Sequence, residues 1–202
     1  MEVLKMANKG EQRRKQILKA AFQAASEKGY ESVTLQDIAD YADVSKGVTN
    51  YYFENKADVF AQLFQWITTR IYEKEAASID EKETAIEKLE AYVNRVFISP
   101  EENKAFYRVY LDFLAQTKNN ERYKEINQQF YANCWSIGRE IITQGIEENV
   151  FKADDIDQSA ISIRCMIDGC LIQWLMRDDD SLHGYYRNVC YDSILQLLSY
   201  KK

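Results

Sequence analysis

Proline, histidine and cysteine are scarce in this chain of 202 residues, with one, one and four copies respectively. Each shortage excludes something. Proline breaks helices, so a single copy leaves room for many uninterrupted ones. The one histidine, His183, is expected in a polar turn, "DDDSLHG", and Cys134, Cys165, Cys170 and Cys190 form no C-x-x-C pair. Zinc sites need closely spaced soft ligands, so we expect plain thiols, no disulfide, no metal and no cofactor. No pairing suited to acid–base or nucleophilic catalysis is recognisable, which argues against an enzyme. Apolar runs are short and interrupted by charge, so no membrane span is expected. The opening "MEVLKMANKGEQRRKQ" lacks an apolar core of signal-peptide length, which points to the cytoplasm.

What the chain does have is helical periodicity. Leu18, Ala21, Phe22 and Ala25 follow the spacing of one buried face, ending near Gly29. Thr34 and Asp37 form a capping box for a short helix over about 35–41. After the tight connection "ADVS", Ser45 is placed to cap a third helix over roughly 46–52. Asn55 and Asp58 mark the start of a fourth, carrying Phe60, Leu63, Phe64, Ile67 and Ile71 on one face. Longer helices follow, among them one opened by "SPEE" and others over roughly 121–147 and 157–177. The expected fold is all-α, with about nine helices. A small unit over 1–56 is joined by the fourth helix to a larger domain over 57–202.

Net charge is −6, yet its distribution is uneven. Residues 1–56 hold nine Lys/Arg against eight Asp/Glu, and the remainder seventeen against twenty-four. Lys9, Arg13, Arg14 and Lys15 cluster near the start, although a solvated helix face would look the same.

Two short helices joined by a tight turn and packed on a preceding helix form a helix-turn-helix, whose second helix enters the major groove of DNA. On that reading Ser45, Lys46, Gly47, Thr49 and Asn50 front the recognition helix. Tyr51 and Tyr52 offer phenolic donors to phosphates, and Lys56 sits at the next helix N-terminus, where anions are favoured. Thr34 completes the set of DNA-contact candidates at the start of the second helix.

The stretch "TLQDIADYADVSKGVTNYYFENKADVFAQLF" resembles the DNA-binding segment of the TetR family of transcriptional regulators. Ile38, Ala39, Ala42, Val44, Ser45, Gly47, Tyr52, Phe53 and Lys56 stand at matching positions. "GVTNYYF" is similar to the branch containing the choline-responsive BetI regulators. Thr49 and Asn50 depart from a common pattern of an apolar residue followed by tyrosine, leaving Asn50 to meet either a phosphate or an adenine edge.

The resemblance implies a ligand-responsive regulator, a repressor that binds a pseudo-palindromic double-stranded operator as a homodimer and leaves it when a small molecule binds. An activator, a co-repressor-dependent repressor and a non-DNA-binding adaptor stay open as alternatives. It also implies an effector pocket among helices five to eight, for which Phe106, Tyr110, Phe130, Cys134 and Met166 are the candidates. Asp112 and Asp168 lie in apolar helical stretches. A cationic effector is favoured if either lines the pocket, and a lipophilic or fatty-acyl one is equally open if neither does. Helices eight and nine are the implied dimer contact, and helix eight is apolar over two parts of its circumference.

Overall fold

A computed structural model describes residues 2–200, with side chains from residue 9 onward. Among the described residues there are nine α-helices and no strand: α1 (Glu2–Lys28), α2 (Leu35–Tyr41), α3 (Lys46–Tyr52), α4 (Lys56–Asp80), α5 (Ala85–Val96), α6 (Pro100–Gln116), α7 (Glu121–Glu147), α8 (Ile156–Arg177) and α9 (His183–Leu197). Single 3-10 turns occupy Thr117–Asn119 and Asp180–Leu182.

Side-chain caps set most of the boundaries. The Thr34 hydroxyl accepts from the Asp37 amide while the Asp37 carboxylate accepts from the Thr34 amide and hydroxyl. Thr84 and Glu87 repeat this box ahead of α5. Asn55 Oδ1 accepts from the Asp58 amide at 3.0 Å, and Ser99 Oγ from the Glu102 amide at 3.2 Å. Each satisfies an amide that the first helical turn leaves without a partner. Gly29 closes α1 with φ +76°, a conformation that costs glycine nothing.

The chain forms two compact units. The first comprises Met1–Thr68 and Arg108–Ile126, the second Thr69–Tyr107 and Asn127–Lys202. Helices α4, α6 and α7 each contribute residues to both. In the first unit Ile17, Ala21, Ile38, Phe53, Phe60 and Leu63 are buried, and Phe64, Phe113 and Tyr123 stack in series. In the second, Leu89, Ile141, Ile167, Leu171, Trp174 and Ile194 form the centre. Gly138 lets α7 approach α8 closely, because a Cβ there would lie 3.1 Å from that of Ala160.

One helix stands out by composition, and one expectation needs correction. By length and composition α8 could cross a membrane, although the sequence shows only short apolar runs. Its residues Ile163, Arg164, Ile167, Leu171 and Trp174 are nonetheless buried within the second unit. His183 is not a turn residue. It opens α9, is 7% exposed, and bonds Asn103 Oδ1 through Nε2 at 2.8 Å between the rings of Phe97 and Trp174.

Gly145 carries the tightest constraint. The Phe151 ring folds back over the last turn of α7, and a Cβ at 145 would lie 1.9 Å from it. Gly145→Ala gains helix propensity of about 1 kcal/mol, but must displace a buried ring at a cost of about 1–3 kcal/mol. Thermal unfolding should show a net loss of several degrees.

Candidate nucleic-acid interface and effector site

Helix α3 is held by polar contacts that reach back through the first unit. The Arg14 guanidinium donates to the Tyr52 carbonyl at 3.3 Å and lies over the Tyr52 and Phe53 rings. The same guanidinium bonds Gln62 Oε1. Gln62 Nε2 donates to both Asp58 oxygens at 3.0 Å, and Arg122 pairs with Asp58 at 2.8 Å. One chain of hydrogen bonds thus runs from the first turn of α7 to the C-terminal end of α3. At the other end, Gln16 Nε2 donates to the Ala42 carbonyl at 2.6 Å, fixing the turn between α2 and α3 to α1. Asp43 turns that corner with φ 50°, a left-handed conformation that aspartate tolerates better than most residues.

The recognition-helix candidates separate by face. Ser45, Lys46, Gly47, Asn50 and Tyr51 are exposed, Tyr51 to 82%. Tyr52 is half-buried. Thr49 is completely buried, and its hydroxyl has no hydrogen-bond partner. It fills the core position where the resembling sequences often place an apolar residue. Ser45 Oγ accepts from the Val48 amide at 3.4 Å, so it caps α3 while remaining at the surface. The Thr34 hydroxyl is committed to its capping box. Asp37, which receives it, is held well below the usual carboxylate range, first by Lys28 and then by Thr34. Lys56 Nζ donates to the Glu31 carbonyl at 3.1 Å and sits 4.4 Å from the Tyr30 ring centroid, with partial burial lowering its pKa. Of the two acidic residues noted in the sequence, Asp112 accepts from the Tyr30 amide at 2.8 Å in this first unit.

Asp168 belongs to a polar cluster at the heart of the second unit. Arg164 on α8 is 3% exposed and pairs with Asp168 one turn later, with Nε to Oδ2 at 3.1 Å. The Tyr107 hydroxyl on α6 donates to Asp168 Oδ1 at 2.8 Å and accepts from Arg164 at 3.3 Å. The guanidinium lies 5.1 Å from the Phe130 ring centroid on α7. Tyr92 on α5 and Cys134 on α7 also face Arg164, and burial pushes the Cys134 thiol up to about 12. Glu75 on α4 completes the group. It is 3% exposed, and its Oε2 has no hydrogen-bond partner. Of the five effector candidates, Phe130 and Cys134 adjoin this cluster. Phe106 and Met166 are half-buried in the same unit, whereas Tyr110 is buried in the first unit against Phe113. Sequence inspection missed Glu75, Tyr92, Tyr107 and Arg164 as site residues. The available signals were a glutamate in register with Phe64, Thr68 and Ile71 on the apolar face of α4, and an Arg–Asp pair four residues apart within an apolar helix.

These features define a helix-turn-helix regulator with a separate, polar-cored helical unit. The chain belongs to the TetR family: residues 17–63 match the model of bacterial regulatory proteins of the tetR family, and residues 85–199 that of the BetI-type transcriptional repressor C-terminal region. It is accordingly a DNA-binding, ligand-responsive transcriptional repressor. Among its relatives is the fatty acid metabolism regulator protein of Bacillus subtilis, 29% identical over 186 residues, 91% of this chain and 92% of that protein. The crystal structure of FadR from Bacillus subtilis in complex with stearoyl-CoA superposes with a TM-score of 0.73 at 25% identity, covering 87% and 96% of the two chains. A transcriptional regulator from Saccharomonospora viridis in complex with choline has the same fold, with a TM-score of 0.84 at 22% identity over 91% and 96%.

The buried carboxyl makes stability depend on pH. Burial holds Glu75 up at about 7, opposed by Arg164 and Arg95, against an ordinary value of 4.5. The folded protein therefore binds more protons than the unfolded chain in that window. Stability present below the ordinary value is lost as pH rises through about 7, by about 3 kcal/mol in total. Urea unfolding from about pH 5 to pH 8 should show this decline in the wild type. It should be smaller by roughly that amount in Glu75→Gln, whose side chain does not titrate.

Proposed function

We propose that the effector of this repressor is a long-chain fatty-acyl compound, received by the second unit, and that its binding lowers affinity for an operator. The neutralised core carries the choice of ligand class. Asp168 is matched by Arg164 and Tyr107, and Arg164 and Arg95 both act on Glu75. Its two acidic groups are offset by two guanidinium groups, which leaves no net negative site for a quaternary ammonium and disfavours a choline-like effector. The similarity to a regulator of fatty acid metabolism supports the acyl alternative.

On the DNA side, Lys46, Gly47, Asn50 and Tyr51 form the groove-facing edge, with Ser45 flanking it and Tyr52 at its rim. Thr49 supports the helix from within, while Thr34 and Lys56 hold the surrounding backbone. Asn50 is the candidate base reader, since its amide can pair with an adenine edge. A dimer supplies the two recognition helices that a pseudo-palindrome requires, about 34–36 Å apart. The exposed residues Ile161, Cys165 and Met176 recur along one face of α8, and Tyr185 and Val189 along one face of α9. These apolar faces suit an isologous contact with a second copy in the cytoplasm. A coupling free energy of about 1–3 kcal/mol would change operator affinity roughly 5- to 150-fold.

The test is a mobility-shift titration with DNA from upstream of the protein's own gene. Stearoyl-CoA should weaken binding within that range and choline should not; release by choline alone would reverse the assignment. Asn50→Ala should lose about 1–3 kcal/mol of discrimination at one base position while retaining non-specific binding. Unaltered sequence preference would place base reading elsewhere.

A further inference from the structure

We infer that Glu75 is the specificity-determining residue of the effector site, accepting a hydrogen bond from a neutral donor, an amide N–H or a hydroxyl, carried by the ligand. This rests on the fatty-acyl reading above and adds the polar chemistry that the apolar chain does not supply.

Every other charged or hydroxylated group of the cluster that surrounds it is matched. Arg164 and Asp168 pair on α8, Tyr107 bridges them from α6, and Tyr92 and Cys134 face the same guanidinium. Glu75 alone among them presents a buried oxygen with no partner. It makes no ion pair within 4.0 Å with Arg164 or Arg95, although both act on it electrostatically. Leaving such a group bare is costly, by about 1–3 kcal/mol and more when it is charged. Natural interiors tolerate this where the group has a task. A leucine or methionine at 75 would fit the apolar face that Phe64 and Thr68 begin, without the penalty.

The donor's chemistry follows from the surroundings. Two guanidinium groups act on Glu75, so an ammonium ligand is repelled while a neutral N–H or O–H is not. A carboxylate placed against Glu75 would set two acids together, so in a ligand that carries one it is the neutral donor that meets Glu75. Glu75 is only 3% exposed, so the donor must reach it from within the helical packing. Fatty-acyl ligands carry neutral donors in two places: the amides and hydroxyl of a pantetheine arm, and a hydroxyl on an oxidised chain.

Three probes separate these sources. Stearoyl-CoA has the arm and a plain chain, 12-hydroxystearate has the chain hydroxyl and no arm, and stearate has neither. Affinities are measured calorimetrically for wild type, Glu75→Gln and Glu75→Met, together with melting temperatures. At about pH 8, above the value of about 7 at which Glu75 ionises, loss of a hydrogen bond to its carboxylate should weaken the donor-bearing probe by roughly 10- to 100-fold in Glu75→Met. Stearate should be affected less than threefold, and Glu75→Gln should fall between. Sensitivity confined to stearoyl-CoA assigns the donor to the arm; sensitivity confined to 12-hydroxystearate assigns it to the chain. Equal affinities for all three proteins, with a raised melting temperature in Glu75→Met, would make Glu75 only a structural liability and overturn the inference while leaving the fatty-acyl reading intact. Choline binding that Glu75→Gln abolishes would overturn it by making the site a cation receptor. If the wild type binds none of the three fatty-acyl probes, the fatty-acyl reading fails and this inference with it.

Discussion

The ion pair of Arg164 and Asp168 organises the second unit. Two charges taken out of water lose hydration worth several kcal/mol each, and their mutual attraction offsets that only when further polar partners complete the geometry. Here the partners come from other helices: Tyr107 bridges the pair from α6, the Phe130 ring from α7 lies against the guanidinium, and Tyr92 of α5 faces it. Each helix is therefore fixed not only by apolar packing but by a polar group with one correct position. Such a core is more demanding to assemble than a hydrocarbon one and gains little net stability from its charges. Under the proposed function these groups serve recognition.

The first unit solves a different problem, which is to hold a seven-residue helix still. A helix this short is marginal by itself, and α3 depends on what grips its ends. Ser45 caps the start, while Arg14 takes the final carbonyl region and is itself secured through Gln62, Asp58 and Arg122. Arg14 belongs to the basic cluster of α1 and looks in the sequence like a surface charge available to DNA. Half-buried beneath α3, it acts instead as a positioning residue. Because α4, α6 and α7 each supply residues to both units, the segments that secure α3 share helices with those that form the polar core.

Much of this was legible in the sequence because caps and apolar spacing are local. Thr34 with Asp37, Asn55 with Asp58, Ser99 with Pro100 and Gly29 all mark helix ends that the structure shows, and Ile38, Ala39, Phe60 and Leu63 are core as their spacing requires. What was not legible is rotational phase. Thr49 and Asn50 are adjacent and both polar, yet one is core and the other surface, and a helix of two turns gives too few residues to fix its axis. Tyr107 and Tyr110 pose a related difficulty on α6, where both lie on the aromatic side of the helix, yet one belongs to the second unit and the other to the first. Arg164 and Glu75 were hidden for a further reason. Charged residues are read as solvated by default, and only three-dimensional contacts show where a charge has been enclosed.

On the proposed function, the polar core of the second unit senses an effector rather than stabilising the fold. The most direct measurement compares operator affinity with and without stearoyl-CoA for the paired substitution Arg164→Met with Asp168→Leu, alongside its unfolding free energy. Removing both charges together avoids leaving either one bare, while Tyr107 loses its bonds to both, so stability should stay within about 1–3 kcal/mol of the wild type. The affinity ratio should fall to one. A paired variant that keeps the wild-type ratio, or that loses several kcal/mol of stability, would contradict the claim.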